Sequence, residues 1–476
     1  CVEPLINVES LAIGGGVAAL RAAGRYTATR SVYEDLHVTS KVLGVGATST
    51  VQLANWHGGA PCALKSVQKT VKSENLKREV EVYLALEHPC IARLQVVYES
   101  VERVHLVMEH LEGGDALSRL QRLTRFGESA TAGVLRQCLH AVAYMHGHGV
   151  VHRDLKLQNL VYQSAGGHEV KVVDFGFACF WDGRTPMTKA CGTPVYVAPE
   201  VYDRRYTEKA DMWSVGVMAF MLATGKEPLP ASNSTSRQKL AEGSPWRRPA
   251  FRDLSADAKN FLKRLIVLDA RVRPSAAEAL QHGWLTSTEP DESLLTVVGA
   301  KRLRLFAALK PPKRDMAARA AWTLPASTEV QQCFLSLCDA HGCVTRASFV
   351  HRLTDLGMDQ ADVSALFEEL DEDCMGEIFY SQFVAGFTRG SSWFPSPSRS
   401  LGQSIRRVFG VVASAFGHLR SKTWQASDRF TSSERFDKPG VRCGETCVSE
   451  SSRFSRHSFS KPVKFASSIC HMLPCK

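Results

Sequence analysis

The sequence of 476 residues predicts an α+β domain, then an all-α helical domain, then a disordered tail. Short apolar segments between about Tyr33 and Leu111 are typical of strands. Longer apolar-periodic segments follow, such as Ala130–His148, and predict helices. Residues 391–476 are rich in Ser, Arg and Lys, a composition that does not bury enough apolar surface to fold.

Charge and cysteine content exclude several classes of protein. The 58 Lys and Arg exceed the 48 Asp and Glu, but much of the excess lies late in the chain, which indicates a basic linker and tail and no nucleic acid partner. The 14 cysteines include no CxxC pair, so a reduced cytoplasmic protein is predicted. Three cysteine pairs lack zinc-finger spacing with His: Cys338/Cys343, Cys443/Cys447 and Cys470/Cys475. No apolar run reaches the ~18 residues of a membrane-spanning helix.

A glycine-containing turn joins the first two predicted strands, Val38–Leu43 and Val51–Ala54. Gly44 and Gly46 lack a Cβ, so their backbone can approach phosphate groups closely. The hairpin can therefore lie over the phosphates as a lid. Ser49 stands where a third glycine is usual in such a turn, and this makes the lid less flexible. Glycine-rich hairpins are common, so the interpretation of this turn as a phosphate-binding element depends on the motifs that follow.

A lysine ends the third strand, Cys62–Lys65, and an isolated lysine there is usually a solvated charge. Its place after the glycine turn favours Lys65 as the cation that contacts nucleotide phosphates. Such a lysine needs an acidic partner. The predicted helix Ser73–Leu86 offers Glu74, Glu79 and Glu81. Counted back from His88-Pro89, the usual partner falls at Glu79, and Glu81 lies about 200° round the helix from it and faces elsewhere.

The segment from Val104 to Leu111 predicts a buried strand that leaves into a linker. At this joint the backbone of Glu109 and Leu111 is expected to meet an adenine edge, with Met108 packed behind the ring. Asp115 is expected to face the ribose. An ordinary core position is the alternative for Met108, and the two are compatible.

One short loop carries three different functional groups, in the order His152-Arg153-Asp154-Leu155-Lys156-Leu157-Gln158-Asn159. Asp154 can accept a hydroxyl proton, Lys156 can contact a phosphate, and Asn159 can offer an oxygen to a metal. Asp174 follows in Asp174-Phe175-Gly176 and can chelate the same metal. These are the groups that phosphoryl transfer needs, because that reaction depends on positioning and on charge stabilisation.

With these motifs, residues 33–285 resemble the eukaryotic protein kinase family, and within it the calmodulin-dependent group. Four segments are typical of that group: Gly113-Gly114, Gly192-Thr193-Pro194, Tyr196-Val197-Ala198-Pro199-Glu200 and Ala279–Trp284. The resemblance implies two lobes with ATP and Mg²⁺ in the cleft, Asp154 and Lys156 as catalytic residues, and Asn159 and Asp174 on Mg²⁺. Lys156 and Thr193 together indicate Ser/Thr acceptors on protein substrates. The implied ATP-binding residues are Leu43, Gly44, Gly46, Val51, Ala63, Lys65, Glu79, Met108, Glu109, Leu111 and Asp115.

Other positions indicate structural roles or depart from the family pattern. Glu200 is expected to pair with Arg273, and Asp211 is expected to hold the backbone of the catalytic loop. Lys189 stands where many relatives carry a phosphorylated Thr, and it cannot pair with Arg153 as a phosphate would. Three departures (Ser49, Gln158 and Lys189) favour the alternative of a pseudokinase scaffold, but none removes a catalytic group.

The rest of the chain predicts a regulatory half. Residues 286–329 form a basic junction whose alternating basic and apolar residues are typical of a segment that binds a groove or occludes the cleft. Autoinhibition through residues 297–325 is therefore predicted, and the alternative is a solvated basic linker. Residues 1–32 are small and Gly/Ala-rich, and are interpreted as an unstructured or packing arm.

Residues 330–390 resemble a pair of EF-hands, so the whole architecture is similar to that of calcium-dependent protein kinases. The second loop offers Asp371 and Asp373 as Ca²⁺ ligands, but it has Met375 and Gln382 where oxygen ligands are usual. Because Ca²⁺ requires 6–8 oxygen ligands, weak or absent binding is predicted. The first loop is interpreted as a structural partner hand, and an intramolecular contact between the EF-hand pair and the junction is expected.

The tail contains one segment with helical periodicity, from Ile405 to Leu419. A basic amphipathic helix that touches a membrane surface is one interpretation. An unstructured basic stretch is the other.

Overall fold

The structure is a computed structural model. It describes residues 5–6, 24–46, 49–69, 73–230, 238–286, 303, 307, 317, 321, 327–371 and 374–388. Asp373, most of the basic junction, and the tail with its segment 405–419 lie outside these residues. In the part of the chain that is described, none of the helices is both long enough and apolar enough to cross a membrane.

The first lobe is a six-stranded sheet with one helix. Its strand order is β1-β5-β6-β4-β3-β2, and every neighbouring pair is antiparallel except β1 and β5. A helix, α1 (Ser73–Ala85), lies between β4 and β5 in the chain. The strands are β1 (Tyr26–Thr27), β2 (Leu36–Val45), β3 (Ser49–Trp56), β4 (Pro61–Gln68), β5 (Leu94–Glu99) and β6 (Arg103–Glu109).

The register of this sheet brings the predicted nucleotide-binding side chains onto one face. Gly44 lies opposite Val51, and Val51 lies opposite Lys65. Ala63 lies opposite Met108. Directly opposite residues share a face, and so do residues two apart along a strand, so these five positions line the same surface. The alternate residues of β4, Cys62 and Leu64, belong to a separate core on the other face of the sheet.

The second lobe is mainly helical. Two helices, α3 and α5, occupy its centre, and every residue of α5 after Lys209 is buried. Two short antiparallel pairs, β7 with β10 and β8 with β9, frame the loops that carry the catalytic motifs. The strands are β7 (Val150–Val151), β8 (Leu160–Tyr162), β9 (Val170–Val172) and β10 (Cys179–Phe180). The helices are α2 (Ala116–Leu123), α3 (Glu128–Gly147), α4 (Pro199–Tyr202), α5 (Lys209–Thr224), α6 (Pro249–Arg252), α7 (Ala256–Leu265), α8 (Ala276–Leu280) and α9 (Gly283–Thr286).

A buried ion pair attaches Glu200, just after the activation segment (residues 177–197), to this lobe. Arg273 is 1% exposed, and its Nη1 and Nη2 donate to the two carboxylate oxygens of Glu200 at 2.5 and 2.9 Å. Its remaining donors reach the carbonyl oxygens of Val267 and Lys209. The predicted pairing of Glu200 with Arg273 is confirmed, and the bidentate geometry explains why an arginine stands at this position.

Replacing Arg273 with methionine is expected to lower the free energy of unfolding by about 3–5 kcal/mol, because it leaves the Glu200 carboxylate without its cation. The measurement is denaturant unfolding. Arg271→Met is the matched control, because Arg271 is 89% exposed and its ion pair with Asp269 lies at the surface. The control is expected to show no measurable change. Equal effects of the two substitutions would contradict the role given to Arg273.

The C-terminal part of the described chain consists of two helix–loop–helix units. Their loops are joined by a two-residue antiparallel ladder in which Val344 lies opposite Ile378. A separate apolar core holds the units together, and the described junction residues Leu303, Ala307 and Ala321 are buried in it. The elements are α10 (Thr328–Leu337), β11 (Val344–Thr345), α11 (Arg346–Asp355), α12 (Gln360–Leu370), β12 (Glu377–Ile378) and α13 (Tyr380–Thr388).

Polar contacts connect the C-terminal units to the two lobes. The backbone N–H of Ser381 donates to the Glu87 carboxylate, and Gln331 donates to Gln163 at 2.6 Å. An edge-to-face ring contact also joins Phe334 of α10 to the buried His88. These contacts lie at the connection between α1 and β5 and on the helical lobe.

The described residues of the N-terminal arm pack against the first lobe. Ile6 is 1% exposed within the main core, and the backbone N–H of Leu5 donates to the Glu99 carboxylate. Tyr26 and Thr27 add a short parallel strand to the sheet edge. The arm was expected to be either unstructured or packed against the domain, and its described residues are packed.

Candidate functional site

The centre of the site is the carboxylate of Asp154, which is held by two neighbours. Thr193 Oγ1 donates to Asp154 Oδ1 at 2.7 Å. Lys156 Nζ lies 2.6 Å from Asp154 Oδ2 and 3.0 Å from Thr193 Oγ1. These contacts bring together the acid and the two residues that the sequence singled out as markers of a Ser/Thr acceptor. The carboxylate has both oxygens oriented by donors, so its position is fixed before a substrate arrives.

A second, buried carboxylate sets the shape of this loop. Asp211 of α5 accepts hydrogen bonds from the backbone N–H groups of His152 and Arg153, each at 2.9 Å, and contacts His146 Nε2 at 2.9 Å. Burial acts to raise the pKa of Asp211, but its hydrogen bond with His146 and the other contacts outweigh burial and lower it. Arg153 adopts a left-handed conformation with φ of 66°, which is unusual for a residue with a Cβ. The predicted role of Asp211 is confirmed.

Lys65 connects the sheet, the helix α1 and the strand that ends at Asp174. Its Nζ lies 2.7 Å from Glu79 Oε1 and 2.9 Å from Asp174 Oδ1. Burial acts to lower the pKa of Lys65, but the two carboxylates outweigh it and raise the pKa above its usual value. Burial likewise opposes ionisation of Asp174, but Lys65 outweighs it and lowers the pKa of that carboxyl. The predicted pairing of Lys65 with Glu79 is confirmed.

Asn159 and Asp174 offer oxygen ligands at the inner end of the cleft. Asn159 Nδ2 donates to the backbone oxygen of Asp154 at 3.0 Å, so the amide oxygen is the atom of this side chain that can coordinate a metal. The side chain of Asp174 is 45% exposed and has a left-handed φ of 64°. An amide oxygen and a depressed-pKa carboxylate are hard ligands, and they fit Mg²⁺.

The glycine-containing turn lies between β2 and β3. A Cβ placed on Gly44 would meet nothing within 4 Å, so the backbone here borders open space. A Cβ on Gly46 would lie 2.8 Å from Ser49 Oγ, and the Gly46 N–H donates to the Ser49 carbonyl oxygen at 2.8 Å. Ser49 therefore closes the turn at the position of the third glycine. Ala47 and Thr48 lie outside the described residues.

The joint between the lobes contains a buried charge cluster that sequence reasoning missed. Glu109 Oε1 accepts from Lys171 Nζ and from the backbone N–H of Arg93, both at 2.7 Å. Arg93 Nη1 donates in turn to the carbonyl oxygen of Ala321 in the junction, at 2.5 Å. Burial opposes ionisation of Glu109, but Lys171 and Arg93 outweigh it and lower the pKa of its carboxyl. The signal in the sequence was a lysine within the apolar strand β9, since a buried cation needs a partner.

The remaining residues predicted to bind nucleotide lie around this joint. Met108 is half-buried and packs against the main core, which agrees with the ordinary core interpretation and leaves the adenine role as a prediction. Leu43 is 39% exposed at the end of the sheet face. Asp115 caps the N-terminus of α2, where its carboxylate accepts from Ser118 N at 2.9 Å and from Ser118 Oγ at 2.6 Å. Its predicted contact with the ribose has to compete with this cap.

The activation segment is held by hydrogen bonds from Lys189, Arg153 and Tyr206 to uncharged oxygens. Lys189 Nζ donates to Asn75 Oδ1 of α1 at 3.1 Å, and its carbonyl oxygen accepts from the Tyr206 hydroxyl at 2.6 Å. The Arg153 guanidinium donates to the Phe177 carbonyl oxygen at 2.7 Å and to the Tyr206 hydroxyl at 3.4 Å. Arg153 therefore has oxygen partners without any phosphorylation of this segment.

The predicted calcium loop is closed by its own hydrogen bonds. The Asp371 carboxylate accepts from the backbone N–H groups of Met375 and Gly376, each at 2.9 Å. Gln382 is 7% exposed; its Oε1 accepts from Phe379 N at 2.9 Å and its Nε2 donates to the Leu370 carbonyl oxygen at 3.3 Å. The side chain at the last loop position thus links the loop to the preceding helix. It supplies no carboxylate to a cation.

Replacing Gln382 with glutamate is expected to tighten Ca²⁺ binding by at least about tenfold, because it adds a charged, potentially bidentate ligand. One oxygen can still accept from Phe379. The measurement is calorimetric titration of the full chain with Ca²⁺, with Gln360→Glu as the control, since Gln360 is exposed at the start of α12. Equal affinities for the two variants would contradict the assignment of this loop.

The contacts of Asp154, Lys65 and Asp174, together with the two lobes that carry them, define the class of protein. The family described as protein kinase domain matches residues 37–285, a little over half of the chain. The chain therefore belongs to the protein kinase family, and the family implies ATP and Mg²⁺ in the cleft between the lobes.

Curated relatives place the chain within the calmodulin-dependent and calcium-dependent group of Ser/Thr kinases. It is 36% identical over 263 residues to human calcium/calmodulin-dependent protein kinase type IV, which covers 54% of this chain and 56% of that protein. It is 32% identical over 339 residues to calcium-dependent protein kinase 9 of Oryza sativa subsp. japonica, covering 68% and 59%. Myosin light chain kinase A of Dictyostelium discoideum is 33% identical over 273 residues, covering 56% and 92%. The chain thus spans little more than half of the first two relatives.

Proposed function

We propose that the chain is an active protein kinase that transfers the γ-phosphoryl group of ATP to Ser and Thr hydroxyls of protein substrates. The observation that carries the proposal is the arrangement at Asp154, whose carboxylate contacts both Lys156 and Thr193. A scaffold without turnover would not need the acid, the phosphate-binding cation and the acceptor-side hydroxyl to converge on one point. Each residue with a catalytic role in the family is present here.

Asp154 orients the acceptor hydroxyl and accepts its proton as the new bond to phosphorus forms. Lys156 lies beside the same carboxylate and neutralises charge on the transferred group. Lys65 contacts the phosphates of the nucleotide from the sheet, and Glu79 keeps that ammonium in place. Most of the catalytic effect is positioning and charge stabilisation, since this reaction needs little covalent participation from the protein.

Asn159 and Asp174 would hold Mg²⁺ at the inner end of the cleft. When bound, the ion supplies positive charge beside the phosphate oxygens. Asp174 is suited to this because Lys65 keeps its carboxyl ionised. Asn159 is suited because its amide nitrogen is already bonded to the catalytic loop.

A set of three peptides that differ only in the acceptor residue tests the proposal. With full-length protein, Mg²⁺ and γ-labelled ATP, we expect transfer to the Ser and Thr peptides and at least about 100-fold less to the Tyr peptide. The longer Tyr side chain places its hydroxyl beyond the point where Thr193 and Asp154 meet. Binding of ATP without transfer to any peptide would instead support the pseudokinase scaffold.

We also propose that the C-terminal region regulates the kinase through the joint between the lobes. The hydrogen bond from Arg93 to Ala321 supports this, because Arg93 also contacts Glu109 at the predicted adenine edge. A shift of the junction would thereby move a residue next to the nucleotide. The names of the relatives suggest calcium as the signal, while the closed loop at Gln382 argues for weak binding. Activity compared with Ca²⁺ and with chelator, in wild type and in Gln382→Glu, separates calcium-dependent from calcium-independent regulation.

A further inference from the structure

Three side chains with metal-ligating atoms meet where the C-terminal units contact the helical lobe. They are His148, which follows α3, Cys343 before β11, and Glu377 of β12. Their ligand atoms all lie within 4.8 Å of one another, and His148 Nε2 lies 3.3 Å from Glu377 Oε1. None of the three takes part in the catalytic site or offers a side-chain ligand to the predicted calcium loop. All three side chains are half-buried.

The two-residue ladder explains why Cys343 and Glu377 point the same way. Thr345 lies opposite Glu377, and Cys343 lies two residues before Thr345 along the same extended segment. Alternation therefore places Cys343 and Glu377 on one face of the ladder. Val344 and Ile378 occupy the other face and are buried in the C-terminal core. The face that carries the ligands is thus turned away from that core, towards α3.

The packing of the first loop against α3 is close. A Cβ placed on Gly342 would lie 3.1 Å from the carbonyl oxygen of His140 and 3.2 Å from Tyr144 Cβ. A side chain here would crowd both atoms, and the φ of 76° is one that glycine adopts easily. The thiol of the next residue, Cys343, is consequently held next to the end of α3.

The hydrogen bonds of His148 define which of its nitrogens faces the cluster. Nδ1 lies 2.8 Å from the carbonyl oxygen of Tyr144, which can only accept, so Nδ1 carries a proton. In a neutral imidazole the lone pair is then on Nε2, directly opposite the Glu377 carboxylate. Two acceptors facing each other require a cation between them, either a proton on Nε2 or a metal ion. A backbone carbonyl on the other ring nitrogen is the usual support of a metal-binding histidine.

We propose that His148, Cys343 and Glu377 form a site for a borderline-soft divalent metal, with Zn²⁺ the best match, that fastens the C-terminal helix–loop–helix pair to the kinase domain. Nitrogen, sulfur and oxygen are the three ligand atoms that Zn²⁺ takes in proteins. Bonds of about 2.0–2.3 Å place tetrahedral ligands ~3.3–3.8 Å apart, so the present spacing of up to 4.8 Å needs a contraction of ~1.5 Å at most. Water completes the coordination. Ca²⁺ and Mg²⁺ do not suit a site with a thiolate.

Cobalt titration of the full chain tests the proposal. The background variant has serine at Cys1, Cys443, Cys447, Cys470 and Cys475, so that these cysteines cannot bind metal. We expect one Co²⁺ per chain, with an intense near-ultraviolet thiolate-to-metal absorption that Zn²⁺ abolishes by displacement. Zn²⁺ is also expected to raise the temperature of unfolding, because it binds only where the two parts are docked.

Conservative substitutions separate the site from adventitious binding. Cys343→Ser is expected to abolish the thiolate absorption, and Glu377→Gln and His148→Gln each to weaken metal binding at least ~10-fold. Cys374→Ser is the matched control, since Cys374 is an exposed cysteine in the second loop, and it is expected to leave binding unchanged. The proposal is overturned if the background variant binds no Co²⁺, if the thiolate absorption survives in Cys343→Ser, or if all four variants bind equally. Absence of binding would assign the cation between His148 and Glu377 to a proton.

Discussion

Replacing Asp154 with asparagine is expected to lower kcat for peptide phosphorylation by about 10³-fold and to leave the affinity for ATP almost unchanged. Asparagine has the same shape, so Thr193 can still be placed beside it, but an amide does not accept the acceptor proton. Lys156 also loses the charge of its closest partner, which lies 2.6 Å away. The measurement is steady-state phosphorylation of a Ser peptide, combined with ATP binding by fluorescence or calorimetry.

Asp257→Asn is the control for this substitution. Asp257 is exposed in the first turn of α7, and its replacement makes the same change of charge far from the cleft. The control is expected to keep full activity. A loss of ATP binding in Asp154→Asn would indicate damage to the fold, and equal activity of Asp154→Asn and wild type would show that Asp154 is not the acid that handles the acceptor.

Replacing Lys65 with methionine is expected to lower kcat/KM for ATP by about 10²–10³-fold. The substitution removes the ammonium that lies 2.7 Å from Glu79 and 2.9 Å from Asp174. The carboxylates of Glu79 and Asp174 then lie close together without their cation, and they repel the negatively charged phosphate groups of ATP. Because Lys65 lowers the pKa of Asp174, the same substitution is also expected to weaken the metal site.

Glu79→Gln provides the internal comparison, since Glu79 is a positioning residue that acts through Lys65. It is expected to lower kcat/KM less than Lys65→Met, and the double variant is expected to be no worse than Lys65→Met alone. Lys239→Met, at an exposed lysine, controls for the loss of one positive charge. Fully additive losses in the double variant would show that the two residues act separately, contrary to the ion pair in the structure.

The sequence was sufficient for groups whose relation is set by local periodicity or by a motif. Glu79 falls at the usual partner position counted back from His88-Pro89, and Glu81 is turned about 200° away from it. The structure places Glu79 on Lys65. Glu200 with Arg273, and Asp211 with the catalytic loop, followed from the family pattern and are also present. The hairpin connections account for the neighbours β2-β3-β4 and β5-β6, whereas the pairing of β4 with β6 joins strands that are not consecutive in the chain.

Contacts between distant segments could not be predicted in the same way. The prediction for Glu109 concerns only its backbone, because the apolar strand around it gives no sign that its side chain turns towards Lys171. The cysteine pair at Cys338 and Cys343 lacks zinc-finger spacing with His. Its potential partners come from elsewhere: His148 and Glu377 are 229 residues apart in the chain. Such a cluster exists only once the C-terminal units have docked, so no local pattern encodes it.

The most direct test of the central claim is a single-turnover experiment with the full chain in excess over γ-labelled ATP, in the presence of Mg²⁺ and a Ser peptide. We predict that the label moves from ATP to the peptide, and that both the removal of Mg²⁺ by chelation and the substitution Asp154→Asn slow this transfer by about 10²-fold or more. Labelled ATP that is bound by the wild-type chain yet stays intact would contradict the account.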